Sequence, residues 1–419
     1  MSKGNDDFYD EKKPWSIIKD NLLESYLTIY FQKILTTKLP VCYVDFFAGK
    51  GKFNDGADGS PRIALRVRKN SISKSHADAK WIDAFFIDML YAKELEKNLR
   101  DFYDDEKQGR IKVFQGKFEE EVSNFLLNIN NFWKGRQVRP NIFLYIDPFG
   151  IKQLSSQLLV SFQKYNFFSF EMLINFNSFG LFRNACKALR VSYDGDEALL
   201  EESEVFDRYP LELPEDQKTA INFVNSIAGA DYWQPIVAKY KSHQIDGYEA
   251  EKILSQGYKE FLRKTYKYVL DMPIRFQKGQ RPKYRMVHVS NHEDGCVAMA
   301  FNMALRSKEL FIEIQSGSQL SLFEQDVENE IINETVIIEK LKEQLETLTS
   351  PVNKNILLAN FYTENGVLCG EPYINKVLKN MLKDGIIVLE KFDKHTRSIS
   401  QTRAVSDKNI TVRLVNAQR

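Results

Sequence analysis

Three acidic residues of this 419-residue chain have the types and positions to do chemistry. Asp45, Asp88 and Asp147 each directly follow a short apolar run that is typical of a buried strand. In an open parallel sheet, ligands bind outside the carboxyl ends of the strands. We therefore expect the three carboxylates to face one ligand site, where they can accept hydrogen bonds from hydroxyl and amine groups.

A glycine-rich turn follows the first of these acids. Gly49 and Gly51 are separated by one residue, and glycine is needed where a β-carbon would block the approach of a ligand to the backbone. The order strand, acid and Gly-x-Gly indicates a nucleotide-type site, although an ordinary tight turn has the same pattern. The next helix begins only at Ser60-Pro61, so this loop is longer than a standard dinucleotide-binding turn.

The second and third acids have different expected roles. Asp88 stands where dinucleotide and S-adenosylmethionine folds hold a ribose diol, and the alternative is that it only caps the following helix. Asp147 is followed by Pro148 and Phe149. Because proline fixes the chain and the aromatic ring offers a stacking face, this triplet indicates an acid held beside a stacking surface.

The elements that must position these acids alternate between strand and helix. A helix that begins near Pro14 is expected to cover the sheet edge or the mouth of the site. The alternation predicts an α/β fold with a Rossmann-like parallel sheet, interrupted by a mostly helical insertion at about 177–280. The predicted strands cover residues 41–44, 81–87, 111–114, 141–146, 172–175, 284–289 and 310–314.

Basic residues close the predicted insertion. Arg281 and Lys283 belong to a basic run at the start of a predicted strand. Such a run can bind the phosphates of a nucleic acid, or it can be a solvated edge. Both interpretations are open.

Residues 331–419 are predicted to form a second, winged-helix-like domain, following a first domain at 1–330. Short helices lead to an Asp384-Gly385 turn and to a hairpin-like pair of strands at 386–389 and 411–414. Residues 351–419 carry 11 Lys and Arg against 6 Asp and Glu, a net charge of +5. This charge permits contact with RNA or DNA, but winged helices also dock proteins, so both roles are open.

The composition limits the class of protein. The net charge is only +1, so any nucleic-acid surface must be a local patch. The four cysteines are far apart without a CxxC pair, which predicts neither a disulfide framework nor a zinc site. No apolar run approaches the roughly 20 residues of a membrane span. We therefore expect a cytoplasmic protein with no membrane association and no metal.

Five segments together resemble one known family. They are Asp45-Phe-Phe-Ala-Gly-Lys-Gly51, residues 55–61, Ile146-Asp-Pro-Phe-Gly150, Leu173-Ile-Asn-Phe176 and Val289-Ser-Asn-His292. The chain resembles the three-Cys-motif partner proteins, bacterial proteins with a class I S-adenosylmethionine-methyltransferase-like core, from the first helix to about residue 314. The resemblance implies a partner that carries three cysteines and is itself similar to radical-S-adenosylmethionine enzymes.

The resemblance also implies which residues hold the cofactor S-adenosylmethionine. Asp88 matches the acid that holds the ribose, and Gln115-Gly116 lies where the adenine is flanked. Asp147, Pro148 and Phe149 match the fourth methyltransferase motif and are similar to the corresponding run of tRNA guanine-N2 dimethyltransferases. The residues that match the first motif, around the methionine moiety, are Asp45, Phe47, Ala48, Gly49 and Gly51.

The leading hypothesis is methyl transfer from S-adenosylmethionine to a nucleobase amine in RNA or DNA. Asp147 and the Pro148 carbonyl would bind the amine, Phe149 would stack on the base, and the pocket would include Asn175 and Asn177. The alternative is a non-catalytic adaptor or regulator of the three-Cys-motif partner that keeps the fold. An NAD-dependent dehydrogenase fits Asp88 but leaves the Asp-Pro-Phe-Gly run unexplained.

Overall fold

The computed structural model of the chain describes two compact units, Met1–Val289 and Ser290–Arg419. The predicted boundary near residue 330 therefore differs from the observed division, which assigns the helix Glu293–Gly317 to the second unit. The described residues are 9–12, 14–75, 81–103, 109–148, 150–193, 216–274, 282, 284–317, 333–348, 350–393, 398–407 and 409–415.

The first unit is built on a seven-stranded, mostly parallel sheet with the strand order β3-β2-β1-β4-β5-β7-β6. The first five strands are paired in parallel. This mixed α/β architecture is compatible with the predicted Rossmann-like fold. The strands are β1 (Val41–Asp45), β2 (Ile82–Asp88), β3 (Ile111–Gln115), β4 (Asn141–Ile146), β5 (Ser169–Phe176), β6 (Tyr268–Ile274) and β7 (Tyr284–Ser290).

Helices of the first unit cover the sheet, and every residue of β1, β2 and β4 is buried. Tyr43 of β1 contacts Phe31 on one face, whereas Cys42 belongs to a core cluster with Val122 on the other. Continuous apolar strands are what a sheet covered on both faces requires. The helices are α1 (Pro14–Leu35), α2 (Ser60–Lys74), α3 (Ala92–Asn98), α4 (Phe118–Lys134), α5 (Ser156–Ser161), α6 (Ser178–Ala188), α7 (Gln217–Ala228), α8 (Trp233–Lys241) and α9 (Gly247–Arg263).

The prediction of a helical insertion was only partly right. Helices α6 to α9 occupy much of it, but β6 adds a strand that the sequence analysis missed. Pro273 lies inside this strand and argued against it, because proline cannot donate a hydrogen bond to a neighbouring strand. The strand tolerates it because β6 lies at the edge of the sheet.

The described residues of the second unit form four helices and a four-stranded antiparallel sheet of order β10-β9-β11-β8. The predicted pairing of residues 386–389 with 411–414 is confirmed by the antiparallel β9–β11 ladder. Its elements are α10 (Glu293–Gly317), α11 (Glu334–Glu346), β8 (Val352–Asn353), α12 (Lys354–Asn365), α13 (Glu371–Lys383), β9 (Ile387–Asp393), β10 (Ser398–Gln401) and β11 (Ile410–Leu414).

The predicted strand at 310–314 is wrong, because α10 continues through these residues to Gly317. A short apolar run cannot be assigned to strand or helix from its composition alone. Residues 296–309 contain no proline, so no helix-breaking residue separates the run from the helix that precedes it. Across the ranges that the structure describes, no helix has the length and apolar character needed to span a bilayer.

Candidate active site

The three predicted acids lie at the carboxyl edge of three neighbouring strands, β2, β1 and β4. Asp45 is in register with Phe86 and Tyr145, so Asp88 and Asp147 lie two residues further along their strands. The negative charges of Asp147 and Asp88 both contribute to raising the pKa of Asp45. The sequence therefore identified a real cluster of carboxyl groups.

The loop between β1 and α2 is fastened to two of these acids. The amide of Phe47 donates to Asp45 Oδ1 at 3.1 Å, and the amide of Gly49 donates to Asp88 Oδ2 at 2.8 Å. Gly49 and Gly51 have φ values of +58° and +72°. Glycine adopts this left-handed conformation without the steric cost of a β-carbon. The positive φ angles of the turn therefore account for glycine at both positions.

Asp45 is fully buried and holds the first residue of α2. The Ser60 hydroxyl donates to its Oδ2 at 2.7 Å. Burial raises the pKa of Asp45 to about 7, and the hydrogen bonds from Ser60 and Phe47 lower it, whereas the charges of the other two acids raise it further. Asp45 can therefore change its protonation state near neutral pH.

The Asp88 carboxylate accepts hydrogen bonds from backbone amides. Its Oδ1 accepts from the amides of Leu90 at 2.8 Å and Tyr91 at 2.7 Å, directly before α3. Asp88 thus fastens the turn before α3 and holds Gly49, whereas the N-cap position of α3 is Tyr91 and has no side-chain capping hydrogen bond. Asp88 is 6% exposed, and its Oδ2 has one described hydrogen bond, which leaves acceptor capacity on that oxygen.

A pocket of about 90 Å³ opens beside the glycine turn. It brings together the backbone of the β1–α2 loop and the segment after β4. Of the three acids predicted to face one ligand site, only Asp147 lies on its wall, because Asp45 and Asp88 are buried behind the loop that they hold. The predicted residues on its wall are Phe47, Ala48, Gly49, Gly51, Asp147, Pro148 and Asn175. The residues on its wall that the sequence analysis did not predict are Tyr9, Ser16, Lys19, Asp20, Lys52, Phe53, Gly59, Ser60 and Tyr284.

Asp147 is the centre of a polar network on this wall. The Lys19 ammonium donates to both carboxylate oxygens, at 2.9 and 2.7 Å. Asn175 Nδ2 donates to Oδ1 at 2.6 Å, and the Tyr145 hydroxyl donates to Oδ2 at 3.2 Å. The carboxylate thus accepts four hydrogen bonds, which is about its full capacity.

Several predicted residues have other roles or lie away from the pocket wall. Asn177 caps α6 by accepting from the Gly180 amide at 2.6 Å. The exposed Gln115 donates to the Met89 carbonyl at 3.2 Å, and Gly116 donates to the Asp88 carbonyl. The remaining predicted site residues, Phe149, Arg281 and Lys283, lie outside the described residues.

The polar face of α1 contributes to the site and was not predicted from the sequence. Ser16, Lys19 and Asp20 recur at spacings of three and four residues, which places them on one face of the helix. Burial raises the pKa of Asp20 to about 6, against the lowering effect of Lys12 at 2.5 Å and of Lys19. Polar residues at this spacing within an otherwise apolar helix were the available signal.

The arrangement can bind a polar ligand through both donors and acceptors. The Asp147 carboxylate, the Asn175 amide and the Lys19 ammonium meet on the wall of the pocket that the glycine turn also lines. Asn175 Oδ1 is buried and has no hydrogen-bond partner among the described residues, so it offers an unused acceptor. Compared with known proteins, the chain matches no family model and no curated sequence.

Proposed function

We propose that this protein binds S-adenosylmethionine and transfers its methyl group to an amine nitrogen of a nucleobase. The observation that carries the proposal is the set of three carboxylates at the ends of β1, β2 and β4 around a positive-φ glycine turn. A cofactor with a ribose diol and an ammonium group needs acceptors at this edge of the sheet.

The strand order supports the methyltransferase class. In β3-β2-β1-β4-β5-β7-β6 the last strand in sequence lies between the two before it. A doubly wound dinucleotide-binding sheet would end in the order 4-5-6 instead. A seventh strand inserted between the fifth and sixth is the arrangement expected of a class I methyltransferase sheet.

The residues present fit the cofactor in type. Ser60 lies on the pocket wall and would face the methionine moiety, held there by the fully buried Asp45. Asp88 Oδ2 would accept from the ribose beside the Gly49 turn. Gln115 ends β3 and Gly116 follows it, where the adenine would be flanked. The cofactor supplies a methyl group that its sulfonium already activates, so the protein has to position donor and acceptor.

Asp147 is the residue assigned to the acceptor amine. Its carboxylate lies on the pocket wall beside Pro148, and Asn175 orients it through a 2.6 Å hydrogen bond. Lys19 must release at least one oxygen before an amine can donate to it. Phe149 is proposed to stack on the base, and Arg281 and Lys283 to contact phosphates.

The charge of the second unit supports a nucleic-acid substrate. Lys376, Lys379 and Lys383 are exposed on α13 at spacings of three and four residues, on the side opposite its buried apolar residues. We propose a winged-helix class for this unit, with the lysines of α13 (the basic stripe) contacting the phosphates of RNA or DNA.

A specific observation favours a second candidate function. The four hydrogen bonds to Asp147 and the small pocket suit a chain that keeps the fold without catalysis. In this case the protein would serve as an adaptor or regulator of a three-Cys-motif partner, as the family resemblance implies. Both functions are proposed for a reducing, cytoplasmic compartment, since all four cysteines are free thiols and buried.

A methyl-transfer assay tests the catalytic proposal. Methyl-labelled S-adenosylmethionine is incubated with the protein and with cellular RNA, DNA or the partner, and the label in each is counted. Asp147→Asn is expected to lower transfer about 100-fold or more, because the amine loses its positioning acceptor. Binding of the cofactor by wild type without transfer to any acceptor would favour the adaptor.

A pair of triple variants tests the nucleic-acid proposal in the same assay. Replacing the three lysines of the basic stripe by Glu should raise the nucleic-acid concentration needed for half-maximal transfer by about tenfold or more, because phosphate contacts are lost. The matched control replaces Lys239, Lys241 and Lys252, which are exposed in the insertion. Equal effects of the two triple variants would count against the basic stripe.

A further inference from the structure

A short N-terminal segment, residues 9–12, crosses the loop that follows the glycine turn; we refer to it as the strap. The amide of Asn54 donates to the Tyr9 carbonyl at 2.7 Å, and Asn54 Nδ2 donates to Asp10 Oδ1 at 2.8 Å. The Lys12 ammonium donates to the Asp58 carbonyl at 2.7 Å. The strap is therefore tied to residues 54–58 by both backbone and side-chain hydrogen bonds.

Tyr9 of the strap fills the space that the glycine turn leaves open. Its side chain is 4% exposed and packs against the rings of Phe53 and Tyr91, with centroids 5.7 and 5.2 Å away. A β-carbon built on Gly49 would collide with the Tyr9 hydroxyl. The position at which a ligand could approach the Gly49 backbone is thus taken by a residue of the same chain.

The remaining volume is too small for a nucleoside-sized ligand. The pocket holds about 90 Å³, whereas pockets for small molecules and cofactors measure roughly 300–1,000 Å³. Tyr9 lines this pocket, so moving it enlarges the space directly beside Gly49. With the strap in place, Tyr9 therefore occupies space that a nucleoside-sized ligand beside Gly49 would need.

The strap is also connected to the acceptor side of the pocket. Lys12 forms an ion pair with Asp20 at 2.5 Å, and Asp20 follows Lys19 on α1. Lys19 in turn forms an ion pair with Asp147 at 2.7 Å. The strap and the Lys19–Asp147 pair together cover the turn proposed for the cofactor and the carboxylate proposed for the amine.

We propose that the strap is an autoinhibitory gate, which must leave the β1–α2 loop before the pocket can bind a nucleoside-containing ligand. The identity of that ligand, S-adenosylmethionine, rests on the proposed function. A ligand that binds only the open state shifts the population toward it, and its apparent affinity is reduced by the fraction of molecules that are open. Fastening the strap must therefore weaken binding.

A disulfide between Asp10→Cys and Asn54→Cys tests the gate, because these two side chains touch. The four natural cysteines are buried, and Asp10→Cys alone controls for oxidation elsewhere. Calorimetry with S-adenosylmethionine compares the oxidised and reduced forms of the double variant. Oxidation is expected to weaken binding at least about tenfold, and reduction to restore it, because the open fraction falls by that factor.

Hydrogen exchange gives a second readout that needs no ligand. The amide at position 54 donates to the Tyr9 carbonyl and is exposed when the strap leaves, so its exchange should be slower in the oxidised form. Slower exchange without cofactor binding in either form would support the gate and overturn the proposed function. Equal exchange in both forms, or equal cofactor affinity in both forms, would overturn the gate.

Discussion

Asp45 illustrates what burial does to a single carboxyl group at this site. It is fully buried, and its pKa is raised to about 7. Between about pH 4 and pH 7 the folded state keeps a proton on Asp45 that the unfolded state has already lost. The contribution of this group to the free energy of unfolding is therefore largest below about pH 4. Its contribution is lost as the pH rises from about 4 through about 7.

The pH dependence of Asp45→Asn tests this interpretation. Relative to the variant, the free energy of unfolding of wild type should fall by roughly 1–3 kcal/mol between pH 5 and pH 8. Asp20, whose pKa is also raised, is present in both proteins and cancels from the comparison. Urea unfolding at several pH values measures the difference, and a difference that does not change with pH would contradict the assigned pKa.

At the scale of elements, a buried ion-pair cluster joins α9, β6 and β7 of the first unit. Arg285 donates to both oxygens of Glu251 at 2.7 Å and to Asp271 at 2.6 Å, and Lys259 also pairs with Asp271. Burial opposes ionisation of Asp271, but Lys259 and Arg285 lower its pKa to about 2. The stabilisation from this group is present above about pH 4 and is lost as the pH falls toward 2.

Removing the shared cation should destabilise the first unit strongly. Arg285→Met leaves two buried carboxylates with less compensation, and we expect a loss of about 3–5 kcal/mol at pH 7. All four tryptophans lie in the first unit, so their fluorescence during urea unfolding reports on that unit. Lys117→Met breaks an exposed pair with Glu120 and should leave the unfolding midpoint nearly unchanged, because solvent screens this pair. Equal losses for the two variants would contradict the role of the cluster.

The elements of the sheet were predictable where the signal is local. Residues 41–44 and 141–146 are continuous apolar runs, and each became a fully buried strand. The edge strand β6 was included in the predicted helical insertion, and Pro273 within it is a residue that sequence patterns count against a strand. The run 310–314 was assigned wrongly because an apolar pentapeptide carries no period that separates strand from helix.

At the scale of the whole molecule, the parts of the site differ in how far they could be predicted. The acids at the ends of β1, β2 and β4 follow from strand order, because parallel strands end at one edge. The Lys19–Asp147 pair joins residues 128 positions apart, and the contact of Tyr9 with Gly49 depends on the path of the strap. Such contacts follow from tertiary packing and leave no local pattern in the sequence.

Titration calorimetry with S-adenosylmethionine measures whether the pocket beside the glycine turn binds the proposed cofactor. Wild type and the strap variant Tyr9→Ala should both bind the cofactor, the variant more tightly because its pocket opens more easily. Asp88→Asn should weaken binding at least about tenfold, since an acceptor for the ribose loses its charge. Asp83, which is also buried but lies near the other end of β2, provides the matched control Asp83→Asn, which should not change the affinity. Absence of binding by both wild type and Tyr9→Ala would contradict the account.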